Sequence, residues 1–114
     1  MTIESFQHEI FLRALNSPIC GIPVVRRITP TSVNLRIPLR FENFVDIFYN
    51  EETSTTAYAL IEKGKRIFGA DNTGGWHIHP FDAPEQHLPI DKPMSFDDFL
   101  LLIEKHYNEL SKKE

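Results

Sequence analysis

The feature that most constrains the fold is an alternation of apolar and polar positions in the middle of the chain. Its apolar positions are Val33, Leu35, Ile37, Leu39 and Phe41. A period of two is typical of a β-strand with one buried face and one solvated face. The polar residues Glu42 and Asn43 then predict a short connection to an antiparallel partner strand.

Further apolar runs predict the rest of an antiparallel meander. They read FVDIFYN, TAYALIE, KRIFGA and WHIHPF in chain order. Between the second and third of these runs, Gly64 predicts a tight hairpin turn, because glycine adopts a positive φ without steric strain. Together with the first strand, these runs predict a sheet of about five strands.

Helical periodicity flanks the predicted sheet on both sides. Apolar residues recur at helical spacing from Ile3 to Leu15, and Ser95 with Asp98 forms a capping-box-like start for a last helix. We therefore predict a single α+β domain over residues 1–114, in which an N-terminal and a C-terminal helix pack on one face of the sheet. Residues 111–114 are predicted to form a disordered tail.

The bulk composition excludes several classes of protein. A chain of 114 residues with 41% hydrophobic residues fits one modest core. No apolar run approaches the roughly 18 residues that cross a bilayer, and the N-terminus lacks the basic start of a signal peptide, so we expect a cytoplasmic protein without membrane contact. Cys20 is the single cysteine, which excludes an internal disulfide.

Charge is distributed unevenly, although the net charge of −4 argues against strong sequence-independent binding to nucleic acid. Residues 16–41 contain four arginines and no acidic residue, whereas residues 42–62 contain five acidic residues and no basic one. This division predicts either one basic and one acidic surface, or strands that neutralise each other across the sheet.

Three of the five histidines fall in one stretch, GADNTGGWHIHPFDAPEQH. If WHIHP is extended, His77 and His79 project to the same side, because alternate side chains of a strand share a face. With His87, and with Asp71, Asp82 and Glu85 nearby in sequence, three imidazoles and one carboxylate form a donor set that suits zinc or another borderline divalent metal ion. A divalent metal site is therefore one interpretation of the cluster.

A second interpretation uses the same histidines without metal. One neutral imidazole takes a proton from a ribose 2′-hydroxyl while another, charged, protonates the leaving oxygen. An arginine on the neighbouring sheet face, Arg36 or Arg40, then steadies the phosphate. A third interpretation is structural: the histidines bind backbone groups left unpaired by the prolines, and Asp71 and Asn72 hold the turn. The residue types leave all three interpretations open.

Several stretches also follow one another in an order that characterises a known family. They are LRIPLRFENFVDIFYN, AYALIEKGKRIFGADN, the clustered histidines with prolines, and MSFDDFLLLIEKHY. In this order the chain resembles, from Val33 to Tyr107, the TumE-type toxin family of toxin–antitoxin modules. Phe68, Asp71 and Asn72 match the aromatic-x-x-Asp-Asn element of that family.

The resemblance implies a growth-inhibiting protein that acts on RNA as a ribonuclease and is held in check by a helix-turn-helix antitoxin. It implies catalytic or ligand roles for His77, His79 and His87, which stand where the family's histidines cluster, with Asp71 and Asn72 orienting them. Fold-level likeness does not fix function. The alternatives are therefore a non-enzymatic binding or interaction module that uses the Gly/His/Pro loop, or a histidine-based metal-binding protein.

Overall fold

The computed structural model describes residues 1–112 as two helices and one antiparallel sheet. The helices are α1 (Ile3–Leu15) and α2 (Phe96–Lys112). The strands are β1 (Val24–Ile28), β2 (Ser32–Pro38), β3 (Phe44–Asn50), β4 (Thr55–Glu62), β5 (Lys65–Asp71), β6 (His77–His79) and β7 (Leu88–Pro89). Their spatial order follows their chain order, so the predicted α+β meander is confirmed.

The sheet has seven strands, not five, because both edge strands lack a readable pattern. All five residues of β1 are exposed, so no alternation of burial marks that strand. The other edge strand, β7, has only two residues and one of them is Pro89. The interior strands carry the expected pattern; burial in β2 and β3 alternates along their whole length.

Both predicted helix starts are confirmed by their caps. Thr2 Oγ1 accepts a hydrogen bond from the Ser5 amide at 3.1 Å, and Ser95 Oγ accepts one from the Asp98 amide at 3.1 Å. At its other end, α2 continues through Lys112, so residues 111–112 are helical rather than part of a disordered tail. Residues 113–114 of the predicted tail lie outside the described residues.

The two helices cover the same face of the sheet, as predicted. Phe6 of α1 stacks on Tyr49 of β3 with ring centroids 4.5 Å apart. Phe99 of α2 is fully buried, and its ring centroid lies 5.1 Å from those of Tyr58 in β4 and Phe68 in β5. Aromatic pairs at this separation add packing energy to the burial of their area. The core therefore lies between β2–β5 and the helices.

Among the described residues, neither helix covers the opposite face of the sheet. On this open face, the Arg36 guanidinium donates to Asp46 Oδ1 at 3.0 Å across β2 and β3, and it lies 3.8 Å from the centroid of the Phe44 ring. For this pair, the predicted neutralisation across the sheet is confirmed. Neither helix within residues 1–112 is long and apolar enough to cross a membrane.

Candidate functional site

The histidine pair lies on the open face of the sheet. In the antiparallel pairing of β5 with β6, Asp71 is opposite His77 and Gly69 is opposite His79. Ile78, between the two histidines, points to the helix side and packs against the core. The prediction that His77 and His79 share one face is therefore confirmed, and the pairing adds Asp71 to the same face.

His87 lies beside His77 and His79 because β7, which follows it, pairs antiparallel to β6. Ile78 is paired with Leu88, so the next position of this antiparallel register sets His87 opposite His79. The ring centroid of His87 lies 4.6 Å from that of His79 and 4.8 Å from that of His77. One nitrogen from each of the three imidazoles lies within 4.8 Å of the other two. The structure thus brings all three predicted histidines together.

Aromatic stacking holds the loop between His79 and His87. The ring of Phe81 stacks on Phe68 at 4.2 Å on one side and on His106 at 3.7 Å on the other. This stack ties the loop to β5 and α2. His106 therefore has a packing contact with the loop and lies outside the histidine cluster.

Each buried histidine uses Nδ1 to bind a backbone carbonyl. His77 Nδ1 donates to the Gly75 oxygen at 2.9 Å, and His79 Nδ1 donates to the Gln86 oxygen at 3.0 Å. A carbonyl oxygen only accepts, so the Nδ1 atoms must carry the protons. The two Nε2 atoms then converge on a single oxygen, Asp71 Oδ2, which lies 3.2 Å from His77 and 3.1 Å from His79.

These nitrogen and oxygen atoms are largely buried, so they need compensating partners within the protein. His77 and His79 are only 9% and 2% exposed, and His77 Nε2 has no hydrogen-bond partner among the described residues. Burial alone would raise the pKa of Asp71, but hydrogen bonds from His79 and the Thr73 amide, with the charges of both imidazoles, lower it below its ordinary value. The carboxylate is therefore negative, and an Nε2 atom that carries no proton would turn its lone pair toward this charge. A proton or a cation between these atoms removes that conflict.

The distances match the edges of a metal coordination polyhedron. Zinc bonds to histidine nitrogen and carboxylate oxygen at about 2.0–2.2 Å, so two ligands of a tetrahedral ion lie roughly 3.3 Å apart. The two Nε2 atoms are 3.2 and 3.1 Å from Asp71 Oδ2. Donation of the other ring nitrogen to a backbone carbonyl is the usual outer-shell arrangement of metal-binding histidines. The two Nε2–Oδ2 distances are therefore compatible with a metal site, and equally with hydrogen bonds from protonated Nε2 atoms. The nitrogens of the three histidines lie within 4.8 Å of one another, which is a wider spacing than such an edge.

Comparisons of the chain with models of protein families, with curated proteins and with solved structures find no match. The interpretation of the cluster therefore rests on its own geometry.

The turn before the cluster depends on two glycines. Gly74 and Gly75 have φ values of 71° and 108°, a region in which other residues are strained. Asn72 holds the turn from the far side, where its side chain accepts from the Thr56 amide at 2.9 Å and donates to the Ser54 carbonyl at 2.8 Å. It therefore does not contact the histidines, and its predicted orienting role is limited to the shape of the turn.

Neither predicted phosphate-binding arginine lies near the cluster. Arg36 shares a cross-strand row with Gly69 and His79, but four strand spacings of about 4.8 Å put it roughly 19 Å from His79. Its guanidinium is already paired with Asp46. Arg40 lies in the turn between β2 and β3, where it packs over the Phe41 ring at 5.5 Å. The predicted phosphate contact was wrong because the order of the strands in the sheet could not be read from the sequence.

Arg66 was not among the site residues predicted from the sequence. A methyl group placed on Gly69 would lie 3.1 Å from Arg66 Cδ and 3.4 Å from His79 Cδ2, so the stem of Arg66 and the ring of His79 approach the same point above Gly69. Its Nη2 donates to the Pro84 carbonyl at 3.1 Å. The signal in the sequence was Gly69, because a glycine inside a strand marks the close approach of another group.

An open cleft of about 450 Å³ adjoins the cluster. The turn 73–76, Pro89, Ile90, His77 and His87 line it. His87 is the exposed member of the cluster. A small molecule in this cleft would reach the histidines from the side of His87.

Proposed function

We propose that this protein binds one divalent transition-metal ion through His77, His79, His87 and Asp71. The observation that carries the proposal is that two buried Nε2 atoms, whose partner nitrogens already donate to carbonyls, face the same carboxylate oxygen at 3.1 and 3.2 Å. Three imidazoles and one carboxylate are ligands that suit zinc, iron, cobalt or nickel, and they suit magnesium or calcium poorly.

The exposure of His87 supports a reactive metal rather than a sealed structural one. Structural zinc sites are closed by four protein ligands, whereas catalytic sites leave a position for water or substrate, so a reactive ion with these four ligands would need a fifth position for water. His87 is exposed and borders the 450 Å³ cleft. A bound ion would lower the pKa of a water molecule on that side and make it a nucleophile near neutral pH. Metal-assisted hydrolysis is the reaction class we propose.

The binding proposal is tested by titrating metal-free protein with zinc and cobalt. We expect one ion per chain, with the visible absorption of tetrahedral or five-coordinate cobalt. The double variant His77→Ala/His79→Ala should lose binding. His8→Ala is the matched control, since His8 is an exposed histidine on α1. Equal binding by the double variant and the control would refute the proposal.

A second candidate function is cleavage of RNA in a toxin–antitoxin module, which the resemblance to the TumE-type family implies. Arg66 favours it, because its stem and the ring of His79 approach the same point above Gly69 on the open face. There its guanidinium would supply the phosphate contact that Arg36 and Arg40 are too distant to make. An acid–base mechanism without metal is less compatible with the geometry, because His79 is 2% exposed and both of its nitrogens face oxygen atoms.

RNA cleavage is tested with purified protein, with and without a chelator. Cleavage that requires added metal would support both metal binding and RNA cleavage at one site. Cleavage that persists in chelator would favour histidine acid–base chemistry. Arg66→Ala should weaken RNA binding, while Arg66→Lys should retain part of it. A protein that neither binds metal nor cleaves RNA would point to the remaining alternative, a binding module that uses the loop.

A further inference from the structure

Within residues 1–112, the first edge of the sheet, β1, has no partner on its outer side. Its residues Val24, Val25 and Ile28 are 51%, 41% and 61% exposed, which is unusual for three aliphatic residues in a five-residue strand. The Thr29 amide donates to the Ser32 carbonyl at 2.9 Å. Since amides alternate in direction along an antiparallel strand, Ile28 presents its N–H and C=O groups outward, where another strand would bind.

The two faces of β1 differ in chemistry. On the helix side, Val25 and Ile28 are opposite Leu35 and Val33 of β2. Leu35 and Val33 are buried, so the helix layer stops at β2 and leaves the apolar side chains of β1 uncovered. An aliphatic side chain on an added strand would extend the core by one row at this position.

On the open side, β1 is cationic. Arg27 is opposite Asn34 and lines a hollow of about 190 Å³. Arg26 lies at the bulge in the pairing of β1 with β2. Within residues 1–112, neither arginine forms an ion pair, whereas Arg36 of β2 is paired with Asp46. The sequence supplies no acidic residue from position 16 to position 41 that would neutralise them.

We propose that β1 is a docking strand for an extended segment of a partner protein that alternates acidic and aliphatic residues. The segment adds to β1 as an eighth, antiparallel strand through main-chain hydrogen bonds. Its acidic side chains meet Arg27 on the open face, and its aliphatic side chains cover Val25 and Ile28 on the helix face. A second copy of β1 fits poorly, because two such strands side by side would bring four arginines together.

The proposal is tested with synthetic ten-residue peptides that alternate glutamate with valine or threonine, and with counterparts in which lysine replaces glutamate. Fluorescence anisotropy measures their binding to the full chain. We expect the acidic peptides to bind and the lysine peptides not to bind. The double variant R26E/R27E should weaken binding by about twofold to thirtyfold, which is the combined effect of two exposed ion pairs, while R26K/R27K should retain it.

Two further measurements separate strand addition from simple charge attraction. Binding should slow hydrogen exchange at the Ile28 amide of the unmodified protein, and Ile28→Pro, which removes that amide, should weaken binding although both arginines remain. The proposal is overturned if acidic peptides do not bind. It is also overturned if they bind Ile28→Pro as tightly as the wild type, or if sedimentation shows that β1 is buried in a dimer of this chain.

Discussion

The variant His87→Ala should separate metal binding from the stability of the fold. His87 is the exposed ligand, whereas His77 and His79 are buried and hydrogen-bonded to backbone carbonyls. Truncation of a buried histidine would leave those carbonyls without a donor and destabilise the metal-free protein. His87→Ala should therefore leave the unfolding temperature of the metal-free protein within about 1–2 °C of the wild type, as surface substitutions usually do.

The effect on the metal-bound protein should be much larger. Free metal at about 100 times its dissociation constant stabilises a folded protein by roughly 2.7 kcal/mol. For 114 residues, an unfolding entropy of about 2.1 cal/mol/K per residue converts this stabilisation into a rise of roughly 11 °C in the unfolding temperature. Loss of one ligand should weaken binding by about 100-fold, at least as much as loss of an outer-shell partner does. At the same metal concentration the rise would then be roughly 2 °C.

Differential scanning calorimetry of wild type, His87→Ala and His8→Ala, each with zinc and with chelator, measures these shifts. The metal-dependent difference between wild type and His87→Ala should be about 9 °C, and His8→Ala should behave as the wild type. If His87→Ala keeps the full metal-dependent shift, His87 is not a ligand. If His87→Ala lowers the unfolding temperature equally with zinc and with chelator, His87 has a structural role instead.

Three further variants test the packing around the site. Gly69→Ala places a methyl group 3.1 Å from the Tyr58 carbonyl and 3.4 Å from His79 Cδ2; we expect a loss of about 1–3 kcal/mol in urea unfolding and weaker zinc binding by calorimetry. Phe99→Ala removes a fully buried ring and should cost about 3–5 kcal/mol by the same unfolding assay. Arg13→Ala removes the link from α1 to Glu104 and should lower the free energy of unfolding by about 1–2 kcal/mol.

The fold was largely readable from the sequence because its interior obeys simple periodicities. Strands β2 to β4 alternate between buried and half-buried positions, and both helices begin at the predicted places, after the caps Thr2 and Ser95. The two strands that were not predicted, β1 and β7, show no alternation of apolar and polar positions. All of β1 is exposed, and the two residues of β7 are held by their register with β6 rather than by a pattern of their own.

The site could be predicted only in part. A short separation in sequence predicts contact within a hairpin, but it does not predict contact between distant strands of a sheet. Asp71, His77 and His79 lie on paired strands joined by a short turn, so their proximity follows from local geometry. Arg36 was assigned to the same site from charge and face alone, and it is separated from His79 by the full width of three intervening strands. The other cation, Arg66, lies on the same strand as Gly69, and an irregularity in the pairing of β4 with β5 sets both residues on the open face. The sequence marks Gly69 but not this irregularity.

The proposed metal ion would also stabilise the weakest part of the sheet. Strands β6 and β7 have three and two residues, so few ladder hydrogen bonds hold this edge. The four proposed ligands come from the end of β5, from β6 and from the residue before β7. An ion bound to all four would join three neighbouring strands at one point, and its binding free energy would favour the ordered edge. The metal-dependent stabilisation should therefore be concentrated at β6 and β7, where hydrogen exchange of the Ile78 and Leu88 amides should slow more than exchange in β2 or β3.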